Sequence, residues 1–557
     1  MREWRSRIAA AVPLAAAALA SLVVVLYVVN SIRHNEATLQ GDQWFWVSHV
    51  LVPLEDGRMS LFDAVTFEYQ SFAHSHIPTL FVFLINDAWF GLTPTIDTVV
   101  GVLSLSGVVV IAWRHLADAP PAWRRLAVAV IAGSIFVSSD PSNFVWSLLQ
   151  FQMFYVLVAV VYLERFGARV ENPSARFAVF AIPGAMILGD SMGSAAVAAS
   201  LIYLTLLVIA RRTPWRKSVP YFATFVTALL VLKPIIGGQR QHGGGSATDF
   251  ADYLVSEPAD VAKAIYYALA QAVVAFHTNV SGLGIVRWSS AWFWFVATVA
   301  LLVAAAVGVR RFGWQTADHF PIMLMLASLV WTGGVIRARA TFWGPVVMQQ
   351  PRYAAYTAVF GVGLVLLVAT KAHRLRWGGV LVAAVLVGTL AGNTAVAIAT
   401  TQDDSGERVQ ENQLKRLRAY VETESEAAPI LGLDCSDWSS CLEGAWYLWD
   451  RKLGPFADDA EPREPWLIPF REAVYDRYHD ADAAGKIALC ETVATATSED
   501  WLQDLTDPNG LASYIEATGA EIPADSVDEA AAITGKAMRV KCASFELAFA
   551  RAEVGED

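Results

Sequence analysis

Long apolar runs, separated by short polar segments, fill the first 400 residues of the chain. Lipid offers the backbone no hydrogen-bonding partners, so apolar runs of about 20 residues predict membrane-spanning helices. The first run, at 8–29, is too long for the core of a cleaved signal peptide. Ten more runs follow near residues 95–113, 124–138, 144–163, 176–189, 191–210, 218–236, 288–308, 319–336, 354–370 and 377–399. The pattern therefore predicts an α-helical polytopic membrane protein with about eleven transmembrane helices.

The basic residues set the predicted orientation of these helices, since short cytoplasmic loops are rich in Lys and Arg. A twelfth span at 77–92 would reverse every later loop, so we expect that apolar stretch to be a half-inserted helix on the outer side. With eleven spans the N-terminus lies in the cytoplasm and residues 401–557 lie outside. The loops then predicted to be cytoplasmic all carry basic residues, at 114–125, 165–176, 211–217, 310–311 and 371–376.

Composition divides the chain into two parts. Hydrophobic residues make up 55% of it and charged residues only 17%, which argues against an ordinary soluble enzyme. Residues 1–400 carry a net charge of +8 and residues 401–557 a net charge of −19. We therefore predict a transmembrane domain at 1–400, with a first outer loop at 30–93, and an acidic extracytoplasmic α or α+β domain at 401–557. No nucleic-acid partner is expected, because phosphate binding needs clustered Lys and Arg.

All the cysteines lie in the acidic part, and the first 400 residues have none. An even number of cysteines in an exported domain predicts disulfides. The most local of the three pairings joins Cys435 to Cys441 and Cys490 to Cys542. Four buried free thiols are the alternative, and the spacings do not resemble a zinc site.

The first outer loop carries candidates for chemistry. Asp42 lies in Gly41-Asp42-Gln43-Trp44, where a carboxylate followed by aromatic residues suits a base at the bilayer surface acting on a lipid-tethered substrate. The alternative is a solvated Asp that caps the following helix. His74 and His76, joined by Glu68, are candidates for binding a phosphate or a metal. No spacing matches a zinc motif, so no cofactor is indicated, although a divalent Mg or Mn ion is compatible with these side chains.

Polar residues at the outer ends of later spans form a second group of candidates. Gln150 and Gln152 lie within an apolar run, where polar side chains usually face the protein interior, so they line a cavity or hold helices together. Asp190 lies at an outer turn. Lys233 lies near the outer end of its span, where it pairs with a phosphate or with Asp190.

Arginines on the predicted outer side run against the usual charge distribution of membrane proteins. Arg337 and Arg339 precede one outer loop, and Arg352-Tyr353 begins the next span. Guanidinium groups hold phosphate in a bidentate manner, which makes these residues candidates for phosphate binding. Salt bridges to the acidic part of the chain are the alternative.

This layout resembles the GT-C membrane glycosyltransferases, in which an acidic residue follows the first span and an exported domain often ends the chain. The resemblance covers roughly residues 1–400. It implies that Asp42 in Gly41-Asp42-Gln43-Trp44 is the catalytic base of an inverting transfer from a polyprenyl-phosphate sugar. It also implies that His74, His76 and Arg352-Tyr353 bind the donor phosphate, and that the acceptor is an envelope glycan, lipid or protein. The chain lacks the Asp-Asp or Glu-x-Asp pair of the family's first loop, although Glu55-Asp56 is an adjacent acidic pair.

Three other functions stay open at this point. A glycan polymerase or ligase of the O-antigen type also uses outer Arg and His residues but needs no early Asp. A transporter or flippase of envelope precursors would place ionisable residues in the middle of its spans, whereas here most lie at the outer ends. The third is a non-catalytic assembly partner. The Arg-rich, Lys-poor composition is typical of a high-GC bacterium, so we expect the bacterial inner membrane as the location.

Overall fold

The structure is a computed structural model, and the statements below concern the residues that it describes. These are residues 2–33, 39, 43, 46–55, 57, 59–66, 77–137, 144, 147–236, 247–274, 291–349, 353–372, 374–402, 447–449, 451–456, 482 and 484–487. This part of the chain is mostly helical and contains no β-strand.

Fourteen of the helices within the described ranges are labelled in chain order. They are α1 (Arg2–Arg33), α2 (Ile77–Phe90), α3 (Thr95–His115), α4 (Pro121–Ile135), α5 (Ser147–Gly167, with a turn at Gln152), α6 (Ala175–Leu188), α7 (Asp190–Ile209), α8 (Trp215–Ile236), α9 (Ala247–Ser256), α10 (Pro258–Gln271), α11 (Ala291–Phe312), α12 (His319–Trp343), α13 (Ala354–Ala372) and α14 (Arg376–Thr401). Shorter elements are a π-helical turn at Val47–Leu51, helices at Val52–Glu55 and Leu61–Thr66, and 3₁₀ turns at Thr316–Asp318, Gly344–Gln349 and Gly454–Phe456.

Eight helices in the described ranges are long and apolar enough to cross a membrane. This confirms the prediction of a polytopic helical membrane protein. In the described residues each of the eleven predicted segments forms a helix, but α4 and α6 have only 15 and 14 residues, and α8 carries Arg216 and Lys217 in its first turn. The count of eleven spans is therefore not confirmed, and the orientation stays a prediction. The expected helix over 77–92 is present as α2, whose 14 residues are too few to span a bilayer.

The chain forms two compact units. The first contains residues 1–35, 65–82 and 94–407, which include most of the long helices. The second combines residues 36–64 and 83–93 with residues 408–557. The acidic C-terminal part thus shares a compact unit with part of the predicted first outer loop.

Two groups of packed helices organise the first unit. Helix α12 packs between α7 and α13, and α1 packs on α4 and α14. Large apolar side chains such as Leu14, Phe180 and Ile209 are more than two-thirds exposed on the outside of these helices. An aqueous surface would make such side chains a liability, whereas lipid accommodates them.

Candidate functional site

A group of polar and aromatic side chains, buried except for half-buried Gln152, joins four helices of the first unit. We call it the tyrosine cluster, and it consists of Gln152, Tyr155, Asp190, Trp331 and Tyr356. The Tyr356 hydroxyl donates to Gln152 Oε1 at 3.1 Å, and the rings of Tyr356 and Trp331 stack with centroids 4.3 Å apart. The Trp331 indole N–H donates to Ser191 Oγ at 3.3 Å. The cluster therefore ties α5, α7, α12 and α13 together through polar groups.

Asp190 enters the cluster from a tight turn between α6 and α7. Its carboxylate interacts electrostatically with Tyr155 and Tyr356, and the residue is only 8% exposed. Its φ of 45° lies in the left-handed region, which Asp tolerates better than most residues. A buried acidic residue with a strained backbone is the kind of feature that functional sites retain.

Two glycines allow this turn to form. A Cβ atom at Gly193 would lie 1.9 Å from the Ala185 carbonyl oxygen, and one at Gly189 would lie 2.5 Å from the same atom. Neither position can carry a side chain without moving the backbone. The close approach of α6 and α7 at these glycines fixes the start of α7, and with it Asp190, against α5 and α12.

A second polar pair lies where α3 meets α5. Ser147 Oγ donates to Asp97 Oδ2 at 2.8 Å, and both residues are buried. Gln150 donates from its amide nitrogen to the Phe144 carbonyl at 3.1 Å. Its backbone carbonyl oxygen would lie 2.5 Å from a Cβ at Gly101, so α3 and α5 are in close contact here. Asp97 was not among the predicted site residues. An acidic residue in the first turn of an apolar helix is rare, and this could have marked Asp97 as a candidate.

The structure places several predicted site residues together. Gln152 and Asp190 belong to the tyrosine cluster, and the Tyr353 ring packs edge-on against Trp331 with centroids 5.4 Å apart. Gln150 lies two residues before Gln152 on α5. Lys233 lies in α8, Arg337 is exposed on α12, and Arg339 on the same helix is half-buried. The remaining predicted residues, Asp42, Glu68, His74, His76, Arg352, Cys435, Cys441, Cys490 and Cys542, lie outside the described residues, and the disulfide and metal predictions gain no support.

A different polar group lies at the opposite end of the same helices. Lys371 Nζ lies 2.8 Å from Asp318 Oδ2, and both side chains are fully buried. His319 contacts the Tyr203 hydroxyl at 2.7 Å through Nδ1 and Glu171 Oε1 at 3.1 Å through Nε2. Ser191 and Tyr203 are twelve residues apart on α7, which places this group about 18 Å from the tyrosine cluster. Its ion pair links the 3₁₀ turn that precedes α12 to the last turn of α13.

The second unit contains a cluster of its own around Arg451. Arg451 Nη1 lies 2.5 Å from Glu55 Oε1, and the guanidinium lies over the Tyr447 ring, 4.7 Å from its centroid. Burial and the nearby Glu55 carboxylate raise the pKa of Asp87 to about 6, against the opposing effect of Arg451. Burial also raises the pKa of the Tyr447 hydroxyl. Since Glu55 and Arg451 lie far apart in sequence, no local pattern indicated this pairing.

The described side chains contain no group of three or more His, Cys, Asp or Glu residues arranged to hold a metal ion. Comparison with known proteins adds no assignment, since no family model and no curated protein matches the chain.

Proposed function

We propose that this protein is a membrane glycosyltransferase that transfers a sugar from a polyprenyl-phosphate donor to an envelope glycan, lipid or protein on the outer face of the bacterial inner membrane. The observation that carries the proposal is the tyrosine cluster. It combines a buried carboxylate, buried phenol groups, stacked aromatic rings and a half-buried amide in a bundle of apolar helices. Ligand sites combine largely apolar and aromatic walls with a few convergent polar groups in this way.

The groups in the cluster match the chemistry of a sugar. A sugar ring presents hydroxyl groups that both donate and accept hydrogen bonds, and it has no charge. The Asp190 carboxylate and the Gln152 amide oxygen accept hydrogen bonds, whereas the phenol groups both donate and accept them. In this proposal Asp190 and Gln152 orient the sugar, while the apolar helices hold the polyprenyl chain.

The transfer itself needs two further groups. A base must remove the proton of the acceptor hydroxyl, and cations must stabilise the leaving phosphate. We assign the base to Asp42 and the cationic role to Arg352, Lys233 and the pair His74 and His76. A single displacement inverts the anomeric carbon, so NMR of the product linkage should show inversion, and a retained configuration would exclude this mechanism.

Chromosomal variants test the proposal. We expect Asp42→Asn and Asp190→Asn each to truncate an envelope glycan at normal protein abundance. The matched control is Asp260→Asn on α10, which makes the same chemical change at a partly exposed residue paired with Lys263. The glycan of this control should be unchanged. Intact glycan in both test variants would refute the glycosyltransferase proposal, while intact glycan in Asp42→Asn alone would favour a polymerase or ligase.

A further inference from the structure

A short stretch of non-helical backbone lies inside the helical bundle of the first unit. Helix α10 ends at Gln271, and the following residues 272–274 turn within the protein interior, almost fully buried. The Ala272 carbonyl oxygen would lie 1.8 Å from a Cβ at Gly361, seven residues into α13. The turn therefore packs on α13 about 10 Å along the helix axis from its first residue. We call residues 271–274 the re-entrant tip.

Polar side chains from two other helices hold the tip in place. The Val273 carbonyl accepts hydrogen bonds from Ser134 Oγ at 3.2 Å and from Asn393 Nδ2 at 2.9 Å. Asn393 Nδ2 also donates to Ser134 Oγ at 3.1 Å. Non-helical backbone at membrane depth is tolerated where it is buried in protein or lines a cavity. These contacts satisfy the Val273 carbonyl and fix the position of the tip.

The side chain of Gln271 is not satisfied in the same way. The residue is 2% exposed, yet neither its amide oxygen nor its amide nitrogen has a hydrogen-bonding partner among the described residues. The indole N–H of buried Trp294, on the neighbouring helix α11, also has no partner in this part of the chain. A buried polar group left without a partner costs about 1–3 kcal/mol, so leucine would be the better residue if packing were its whole role.

The surroundings of the tip define the ligand that Gln271 can bind. No charged residue occurs at positions 264–274, 291–309, 353–370 or 377–402, which supply the second half of α10, the tip and most of α11, α13 and α14. A charged ligand would find no counter-ion among these residues and would be expensive to bury. An amide offers two donors and an acceptor, and an indole offers a donor, which together match hydroxyl groups.

We propose that the re-entrant tip is a sugar-binding subsite in which Gln271 hydrogen-bonds the hydroxyl groups of an uncharged sugar unit. This inference rests on the proposed function. Gly361 and Tyr356 are five residues apart on α13, so the tip packs on a different side of that helix from the tyrosine cluster. Helix α13 thus contacts two groups of polar side chains, one on each of two sides.

The test measures ligand binding by the full-length protein in nanodiscs. The probes are polyprenyl phosphates carrying mannose, arabinose, galactose or glucose, the sugar-free polyprenyl phosphate, and short free oligosaccharides of the same sugars. A bound probe raises the Tm. We expect Gln271→Leu to retain or raise the Tm without ligand but to bind the sugar probes about tenfold more weakly, because the amide hydrogen bonds are lost. Its response to the sugar-free lipid should stay unchanged.

The control is Gln402→Leu, which makes the same change at an exposed position after α14. It should respond to every probe as the wild type does. If Gln271→Leu binds the sugar probes as tightly as the wild type, the subsite is refuted while the proposed function stands. A Tm that falls without ligand would also refute it, by showing that the amide is a structural contact. A wild-type protein that no sugar probe stabilises would overturn both proposals. Loss with the lipid-linked sugars alone assigns the tip to the donor, and loss with free oligosaccharides assigns it to the acceptor.

Discussion

The buried pair of Lys371 and Asp318 allows a sharp test of how this bundle is held together. The two charged atoms lie 2.8 Å apart with no exposed side-chain surface, and Lys371 also donates to the Gly313 carbonyl at 3.2 Å. The stem of Lys371 packs on α11, since its Cβ would lie 2.7 Å from a Cβ at Gly308. Lys371→Met therefore keeps the packing of the stem and removes the charge together with the hydrogen bond to Gly313.

The expected cost follows from the burial. Removing one partner of a buried ion pair leaves the other charge unpaired, which destabilises a protein by about 3–5 kcal/mol. The chain also contains an exposed counterpart, Lys263 with Asp260, whose atoms lie 3.1 Å apart on the surface of α10. Such exposed pairs contribute only about 0.2–1 kcal/mol. The same Lys→Met change should thus differ at least threefold in its effect on the free energy of unfolding.

The assay is unfolding of the purified full-length protein in mixed micelles, with SDS as the denaturant and tryptophan fluorescence as the readout. We expect Lys371→Met to be strongly destabilised, Lys263→Met to be near wild type, and the double variant Lys371→Met with Asp318→Asn to recover part of the loss. Asparagine at 318 keeps an acceptor for the Gln315 backbone N–H, which Asp318 now caps at 2.8 Å. If the free energies of unfolding of Lys371→Met and Lys263→Met differ by less than about 0.5 kcal/mol, the buried pair does not stabilise the bundle and the prediction is wrong.

Two further predictions concern the α6–α7 turn and the second unit. Gly193→Ala should destabilise the protein strongly, because the new Cβ overlaps the Ala185 carbonyl oxygen. Gly184→Ala places its Cβ in open space on α6 and should be neutral or stabilising by about 0.5–1 kcal/mol. Equal Tm values for the two variants would contradict this. The pKa of Asp87 is raised to about 6 in the folded protein, so the folded state holds its proton more tightly than the unfolded state does. Its contribution to stability is complete below about pH 3.8 and is lost as the pH rises through about 6. The Tm should therefore fall over this range in the wild type and fall less in Asp87→Asn. The same dependence of Tm on pH in the variant would exclude Asp87 as the cause of the fall.

The sequence predicted the helices well and their relation to the membrane less well. Apolar runs are a strong signal because the backbone must be satisfied within each segment, and every predicted segment is helical in the structure. Helices α4 and α6 show where this reasoning stops. Helix α4 is buried on all sides over its second half and α6 along one face, and at 15 and 14 residues both are shorter than an untilted span requires. Hydropathy alone does not predict how long a helix is.

The site was predicted only in part, for a related reason. Gln152 and Asp190 stand out because polar residues are rare in apolar runs. Tyr155, Trp331 and Tyr356 do not stand out, since aromatic residues in such runs are ordinary packing residues until the fold brings their polar atoms together. Likewise, the sequence does not indicate Gln271 as a site residue. Only the structure shows that α10 ends in the protein interior.

A buried aspartate lies at each end of the α7–α12 pair, and the two aspartates have different surroundings. Asp318 is buried against Lys371, so the pair as a whole is neutral and its removal costs stability. Asp190 is also buried, but it is held in a left-handed backbone conformation beside the phenol groups of Tyr155 and Tyr356. A carboxylate beside phenol groups at a strained turn is an arrangement that ligand sites use. The Lys371–Asp318 pair has no strained turn, and this contrast within one bundle is why we place the sugar near Asp190 rather than near Lys371.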